Sequence, residues 1–122
     1  MKFLCSVWVD GTAIDALPAA EKQALDQGSL ANDAALMASG HLLAAAALQS
    51  PKTATTVRRR RGRVSVTDGP FIETKEYLGG FLLIEAANRD EAVKIAGQTP
   101  VCGYGAIEVR PIYEIPQSDD KS

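Results

Sequence analysis

The sequence predicts an α+β fold in which two helices cover one face of an antiparallel sheet. Short apolar segments bounded by Gly and Pro read as strands, and two longer segments carry helical patterns between them. The predicted order is strand, helix, strand, hairpin, strand, helix, strand. With 122 residues, 46% of them apolar and 23% charged, the chain has the size and composition of one globular domain. We expect this domain to span residues 1–115, with 116–122 as a flexible tail.

The first strand and helix follow from two periodicities. The segment from Phe3 to Val9 is apolar on both of its alternating faces, which predicts a strand covered on both sides. The segment from Leu17 to Ser39 is predicted to be a helix that ends at Gly40. Its inward apolar stripe is predicted from spacings of i, i+4 and i+7. The stripe comprises Leu30, Ala34 and Met37.

The middle of the chain predicts a second strand and an inserted hairpin. The run from His41 to Leu48 fits helix or strand by its pattern, and its place before a Ser-Pro break favours a strand. Residues 54–59 and 63–67 form the hairpin arms, with Gly62 at the turn. The sequence Asp68-Gly69-Pro70 predicts a tight turn in which the Asp68 side chain binds backbone N–H groups.

The last third repeats the strand and helix pattern. Residues 79–86 are almost continuously apolar, which is typical of a strand covered on both faces. The next helix begins after Asn88 as a cap residue. Its inward face is predicted to comprise Ala92, Val93 and Ala96. Residues 106–113 form the final strand.

This order is that of a ferredoxin-like βαββαβ unit with an inserted hairpin. Its helices cover one sheet face only, while Leu4 and Trp8 place apolar side chains on the other. A second copy of the chain is the simplest cover for that face. The sequence therefore predicts a homodimer.

Charge and cysteine content restrict the environment. The net charge of −2 disfavours nucleic acid as a partner, and no apolar run is long enough to span a membrane. The N-terminus lacks the features of a signal peptide. Two cysteines, Cys5 and Cys102, are too few for a disulfide scaffold. We therefore expect a cytoplasmic protein without a membrane partner.

The segment from Val66 to Glu76, VTDGPFIETKE, carries a family resemblance. It resembles the signature of YCII-related proteins of the DGPF-motif branch, and four flanking segments extend the match. These segments are Gly40-His41, residues 54–58, Gly79-Gly80-Phe81 and residues 108–111. The resemblance implies a dimeric α/β barrel. It also implies a functional link to extracytoplasmic-function sigma factors, because genes of this branch often lie beside those of such factors.

The resemblance does not supply a catalytic dyad. YCII-like relatives of another branch are thought to use a histidine of the first helix and an aspartate after the second. The first predicted helix here contains no histidine, and the later segment reads Gln98-Thr99-Pro100. That dyad cannot be transferred to this chain.

The motif segment holds most of the candidate site residues. Asp68 and Glu73 beside Phe71 are a carboxylate pair whose pKa values an apolar cleft could separate for acid–base catalysis. Lys75 could hold an anionic substrate or enolate. Arg58 matches the family pattern and is expected to point toward the same cleft. The alternative for Asp68 is the turn role, and for Glu73 and Lys75 a solvated loop.

His41 is the sole histidine, and its ordinary pKa suits proton transfer near neutrality. A hydrogen-bonded structural role is the alternative. Because a second histidine and clustered cysteines are missing from the sequence, we expect no metal and no cofactor.

Two functions remain open at this point. One is a ligand-binding or enzymatic barrel that acts on a small anionic organic molecule by metal-independent proton transfer. The other is a non-catalytic accessory protein of a transcription regulator.

Five of the 13 basic residues lie between Arg58 and Arg63. They could form an anion-binding patch, or a charged hairpin tip that discourages strand aggregation. The acidic chain favours the second interpretation.

Overall fold

The computed structural model of the chain describes residues 1–117. Four strands form an antiparallel sheet in the order β2-β5-β1-β6, and two more form a separate hairpin. The strands are β1 (Lys2–Asp10), β2 (Leu42–Ala47), β3 (Thr55–Arg60), β4 (Arg63–Asp68), β5 (Glu76–Glu85) and β6 (Gly105–Pro111). The helices are α1 (Gly11–Asp15), α2 (Ala19–Ala38) and α3 (Arg89–Gly97), with 3-10 turns at Pro51–Thr53 and Pro100–Tyr104. This topology confirms the ferredoxin-like α+β fold with β3–β4 as the inserted hairpin.

The core lies between the sheet and its helices. Alternate residues of β1 point into it, and Phe3 and Cys5 are each only 1% exposed. Phe3 pairs with Ile84 of β5, so the two central strands supply the largest buried side chains. From α3 the core receives Ala92, Ile95 and Ala96. The predicted inward position of Val93 is wrong, because Val93 is 46% exposed and Ile95 occupies the buried side.

The inward face predicted for the first helix is also wrong. Leu30 is 70% exposed and Met37 is 64% exposed, and Ala34 is exposed as well. The side that meets the protein carries Leu25 and Leu36, which are half-buried, together with several small or polar residues. These are Gly28, Ser29, Asn32 and Asp33. The helix is therefore packed through a mixed surface that an apolar-stripe rule does not detect.

The predicted helix of residues 17–39 is confirmed as α2 (Ala19–Ala38), but a short helix that was not predicted, α1, precedes it. Asp10 caps the short α1: its Oδ1 accepts hydrogen bonds from the backbone N–H groups of Thr12 (3.0 Å) and Ala13 (3.4 Å). An Asp at the end of a strand can either begin a turn or cap the N-terminus of a helix. No element was predicted between Val9 and Leu17, so α1 was missed.

Two predicted glycine positions are confirmed by positive φ angles. Gly40 (φ 81°) ends α2 in a Schellman motif, where His41 N–H donates to Leu36 O and Gly40 N–H to Met37 O. Gly62 (φ 77°) follows Arg61 (φ 51°) in the two-residue hairpin turn. Two successive positive φ angles are those of a type I′ turn, whose twist matches the flanking strands.

The face of the sheet away from the helices carries apolar side chains that no helix covers. We call it the open face; it includes Leu4 and Trp8 of β1, Phe81 and Leu83 of β5, and Ala44 and Ala46 of β2. Leu4 lies opposite Leu83 in the register, and Trp8 lies opposite Leu78, which is 39% exposed. The prediction that β1 and β5 are apolar on both faces is confirmed.

No helix of residues 1–117 is long and apolar enough to cross a membrane.

Candidate functional site

A cluster of charged and aromatic residues lies where β1 ends and β5 begins. Asp10 and Glu76 are paired there in the sheet register. The Oδ2 atom of Asp10 lies 3.9 Å from Lys75 Nζ, while its Oδ1 is used by the α1 cap. The Lys75 side chain stays 76% exposed. Asp10 therefore places an accessible ammonium at this end of the sheet.

Tyr77 fixes the backbone around this ammonium. A Cβ atom on Gly11 would lie 2.8 Å from Tyr77 Cε1, so the ring packs directly on the first residue of α1. The adjoining loop is tied to β5 because Thr74 Oγ1 donates a hydrogen bond to Glu76 O. Sequence reasoning missed Asp10 and Tyr77. The cap position of Asp10 was the available signal for the first, and Tyr77 had none.

The motif turn is held to the base of the hairpin by two hydrogen bonds. Gly69 N–H donates to Ala54 O at 2.7 Å, and Thr56 Oγ1 donates to Gly69 O at 2.8 Å. Gly69 has φ 103°, a backbone angle that favours glycine. The turn that Asp68-Gly69-Pro70 predicts is present, and neither of these bonds uses the Asp68 carboxylate.

Arg58 and Phe71 form a cation–π pair beside this turn. The Arg58 guanidinium lies 4.5 Å from the centroid of the Phe71 ring. Phe71 is 64% exposed, so it supports the guanidinium from one side and leaves the rest of the ring accessible. Such a pair presents a cation and an aromatic surface together, which suits a planar organic anion.

The structure separates Asp68 from Arg58. Asp68 pairs with Thr55, and Arg58 pairs with Ser65 three positions along β3. Because side chains alternate along a strand, Asp68 and Arg58 lie on opposite faces of the hairpin. Glu73 is exposed in the loop between Phe71 and Lys75. Of the predicted group, Phe71, Glu73 and Lys75 lie in the loop between β4 and β5, and Arg58 of β3 contacts Phe71. Asp68 lies on the opposite face of the hairpin from Arg58.

His41 lies at the opposite end of the sheet. Its Nδ1 is 2.9 Å from Glu85 O, and a carbonyl only accepts, so Nδ1 carries the proton. Glu91 Oε1 lies 3.8 Å from the same nitrogen, and Glu85 also receives the N-terminal ammonium of Met1 at 3.3 Å. These groups line a shallow depression of about 290 Å³. Lys2, which pairs with Glu85, is eight strand steps from Asp10, or about 26 Å. One copy of the chain therefore does not bring His41 and Lys75 together.

A second depression lies between α3 and the edge strand β6. It has a volume of about 320 Å³ and is lined by Arg89, Val93 and Cys102 together with apolar groups of β6. Cys102 is a free thiol, as is the buried Cys5. Sequence reasoning did not identify this depression, because its lining residues come from three separate elements.

The side of α2 that faces the protein contains an unsatisfied polar group. Asn32 Nδ2 is buried without a hydrogen-bond partner. Gly28 lies one turn earlier on the same face. A Cβ atom on Gly28 would lie 3.7 Å from the Pro100 side chain, so this face of α2 packs against the Pro100–Tyr104 turn. Thr99, just before that turn, is buried, and its Oγ1 donates to Ile95 O.

Within residues 1–117, no three His, Cys, Asp or Glu side chains are grouped so that they could hold a metal ion.

Comparison with known proteins assigns the chain to a family. The chain is similar to an uncharacterised protein of Rhizobium meliloti (strain 1021), with 43% identity over 75 residues. That match spans 60% of this chain and 60% of the relative. The model of the YCII-related domain matches residues 1–116, which is nearly the whole chain, and the protein therefore belongs to the YCII-related family.

Proposed function

We propose that the protein is a homodimer of the DGPF-motif branch that binds a small organic anion beside Lys75. The observation that carries the proposal is the exposed Lys75 ammonium, held 3.9 Å from Asp10 at the end of the sheet. The Arg58–Phe71 pair adds a second cation and a ring in the adjoining loop. An exposed ammonium, with a cation–aromatic pair in the same loop, matches a small carboxylate attached to a planar group.

The homodimer supplies the enclosure that the single chain lacks. Lys75, Glu73 and Phe71 are all exposed in one copy. Pairing two open faces would bury Leu4, Trp8, Phe81 and Leu83 and form a closed barrel. A second copy would then lower the dielectric around the loop, which strengthens charge–charge interactions there.

Proton transfer is the reaction that these residues suit. Glu73 would remove a proton from the carbon next to a carbonyl. The electron pair of the broken C–H bond would form a C=C bond, and the π pair of the carbonyl would move onto its oxygen. Lys75 would stabilise the resulting enolate, and return of the proton to a different atom would complete an isomerisation. Asp68 and His41 remain candidate acid–base groups from the sequence. His41, at the opposite end of the sheet, could act beside Lys75 only from a second copy.

Binding can be tested with small oxo acids. The protein would be titrated with pyruvate, acetoacetate and phenylpyruvate while its melting temperature and Trp8 fluorescence are measured. The neutral amide of each acid is the control. A ligand at ten times its Kd should stabilise the fold by about 1.4 kcal/mol. We expect at least one acid, and not its amide, to raise the melting temperature.

Two variants locate the site. Lys75→Gln should weaken binding about tenfold, the scale of one charge-assisted hydrogen bond. Lys52→Gln, at an exposed lysine of the Pro51–Thr53 turn, should leave binding unchanged. If no acid binds, or if Lys75→Gln binds as well as the wild type, the proposal is wrong. The accessory role would then be favoured, and it predicts a stable complex with an extracytoplasmic-function sigma factor in size exclusion.

We also propose a cytoplasmic location, which the two free thiols Cys5 and Cys102 support.

A further inference from the structure

The β3–β4 hairpin forms a sheet of its own. Its two strands pair only with each other, over six residue pairs from Thr55–Asp68 to Arg60–Arg63. No helix or other strand of residues 1–117 packs broadly against it. A two-stranded hairpin is at best marginally stable in water. This one therefore needs another surface, which the single chain does not supply.

One face of the hairpin is apolar at its centre. The register places six residues on it, and we call this the valine face: Thr55, Val57, Arg59, Val64, Val66 and Asp68. Its three valines are 63%, 56% and 65% exposed. The opposite face carries Arg58, Arg60 and Arg63 with hydroxyl side chains. The hairpin is thus amphipathic across its thickness.

The valine face is complementary to itself in charge. From base to tip its pairs are Asp68 with Thr55, Val66 with Val57, and Val64 with Arg59. If two such faces meet around a two-fold axis at the Val57–Val66 pair, the acidic base of each lies over the basic tip of the other. Asp68 of one copy then lies beside Arg59 of the second, with valines packed between. None of the ion pairs within residues 1–117 uses either side chain.

We propose that the valine faces of two copies of this chain pack against each other, with Asp68 and Arg59 paired across the contact. A duplex nucleic acid fits this face poorly, because its phosphates would meet three valines and a carboxylate with Arg59 as the one cation among them. A second copy would also offer acidic groups to the arginine-rich hairpin tip. Outside Arg58–Arg63 the sequence has eight basic side chains against fifteen acidic ones.

The valine contact is small. Standard protein interfaces bury about 800 Å² on each partner, and three part-exposed valines bury much less. The proposal therefore rests on the homodimer of the proposed function, whose open-face contact raises the local concentration of the hairpins. The two contacts involve different residues, so each can be removed without the other.

Cysteine cross-linking tests the contact directly. In a Cys102→Ser background, with Cys5 buried, Val66→Cys should form a covalent dimer on mild oxidation at micromolar concentration, because Val66 of each copy faces its mate. Ser65→Cys, one residue away on the opposite face, should cross-link at least tenfold more slowly. If Ser65→Cys reacts as readily as Val66→Cys, the proposal is overturned.

A charge exchange tests the pairing of Asp68 with Arg59. Asp68→Arg alone and Arg59→Asp alone should each slow Val66→Cys cross-linking about tenfold, because each places like charges together. The double exchange should restore the rate; failure to restore it contradicts the pairing. Duplex DNA added at physiological salt should leave the rate unchanged, and protection by DNA would instead identify the hairpin as a nucleic-acid surface.

Light scattering separates this proposal from the homodimer. A wild-type dimer with no Val66→Cys cross-link would overturn the hairpin contact alone. A wild-type monomer without a cross-link would overturn both.

Discussion

Asp33 lies on the side of α2 that faces the protein, and partial burial raises the pKa of its carboxyl above the ordinary value of 3.8. The folded state therefore binds this proton more tightly than the unfolded state. Ionisation of Asp33 lowers the free energy of unfolding as the pH rises from about 4 through the raised folded pKa. At pH 7 the charged carboxylate is a destabilising group.

Asp33→Asn should accordingly raise the melting temperature at pH 7. The rise should stay below about 4 °C, which is what 1 kcal/mol gives in a domain of this size. The gain should shrink as the pH falls through the raised folded pKa toward 4, because the wild-type carboxyl of the folded state then becomes protonated. Melting curves from pH 4 to 8 check this, with Asp26→Asn on the exposed side of α2 as the matched control. A gain that does not vary with pH would contradict the electrostatic origin.

At the residue scale, the sequence identified candidate side chains better than it predicted on which face each one lies. Lys75 and Phe71 were identified from the motif and Arg58 from its flank; in the structure Phe71 and Lys75 lie in the loop between β4 and β5, and Arg58 of β3 contacts Phe71. Asp68 was expected beside Phe71, but strand alternation turns it to the other hairpin face. That alternation depends on the register of β3 with β4, which the residue types alone do not specify.

Gly80 shows how closely β2 approaches β5. A Cβ atom on Gly80 would lie 2.6 Å from the backbone oxygen of Ala46. Backbone cannot rotate away as a side-chain tip can, so Gly80→Ala should displace β2 and cost about 1–3 kcal/mol. Chemical denaturation measures the loss.

Gly97→Ala is the matched control for that substitution. Nothing lies within 4 Å of a Cβ on Gly97, which ends α3. Alanine favours helix over glycine by up to about 1 kcal/mol, so this variant should be neutral or stabilised. Equal losses in both variants would show that the close approach at Gly80 is not the cause.

At the element scale, strands and breaks were easier to predict than helix orientation. Most strands lie within a few residues of their predicted bounds, because apolar runs and glycine turns are local signals. The face that α2 presents was predicted wrongly, since its inward side mixes Leu25 and Leu36 with Ser29 and Asn32. Leu30 and Met37 form a better apolar stripe by spacing and yet face outward. Packing against the Pro100–Tyr104 turn decides that orientation, and no local pattern reports it.

At the scale of the whole molecule, the open face is the main apolar surface that no helix covers. The helices bury one side of the sheet, and the other side exposes Leu78 and leaves Leu4, Trp8 and Leu83 only half-buried. The sequence predicted this two-sided apolar pattern from β1 and β5 alone. It could not predict the valine face of the hairpin, because that surface depends on the pairing of β3 with β4.

The homodimer prediction is tested by placing a charge at the centre of the open face. Leu83 lies on the central strand β5, opposite Leu4 of β1 and Ala44 of β2. In a dimer, Leu83→Glu would lose about 1.5–3 kcal/mol of apolar burial per copy and add the cost of an unpaired buried carboxylate. The dissociation constant should rise at least a hundredfold. In a monomer the same glutamate would face water, so the variant should still fold.

Light scattering coupled to size exclusion should give the wild type twice the chain mass of 12.9 kDa and Leu83→Glu the mass of one chain. Leu30→Glu places the same charge on the exposed, helix side of the molecule and should remain dimeric. Circular dichroism would check that both variants fold. A wild-type monomer at micromolar concentration would rule out the barrel. A dimer that survives Leu83→Glu but not Leu30→Glu would move the interface to α2.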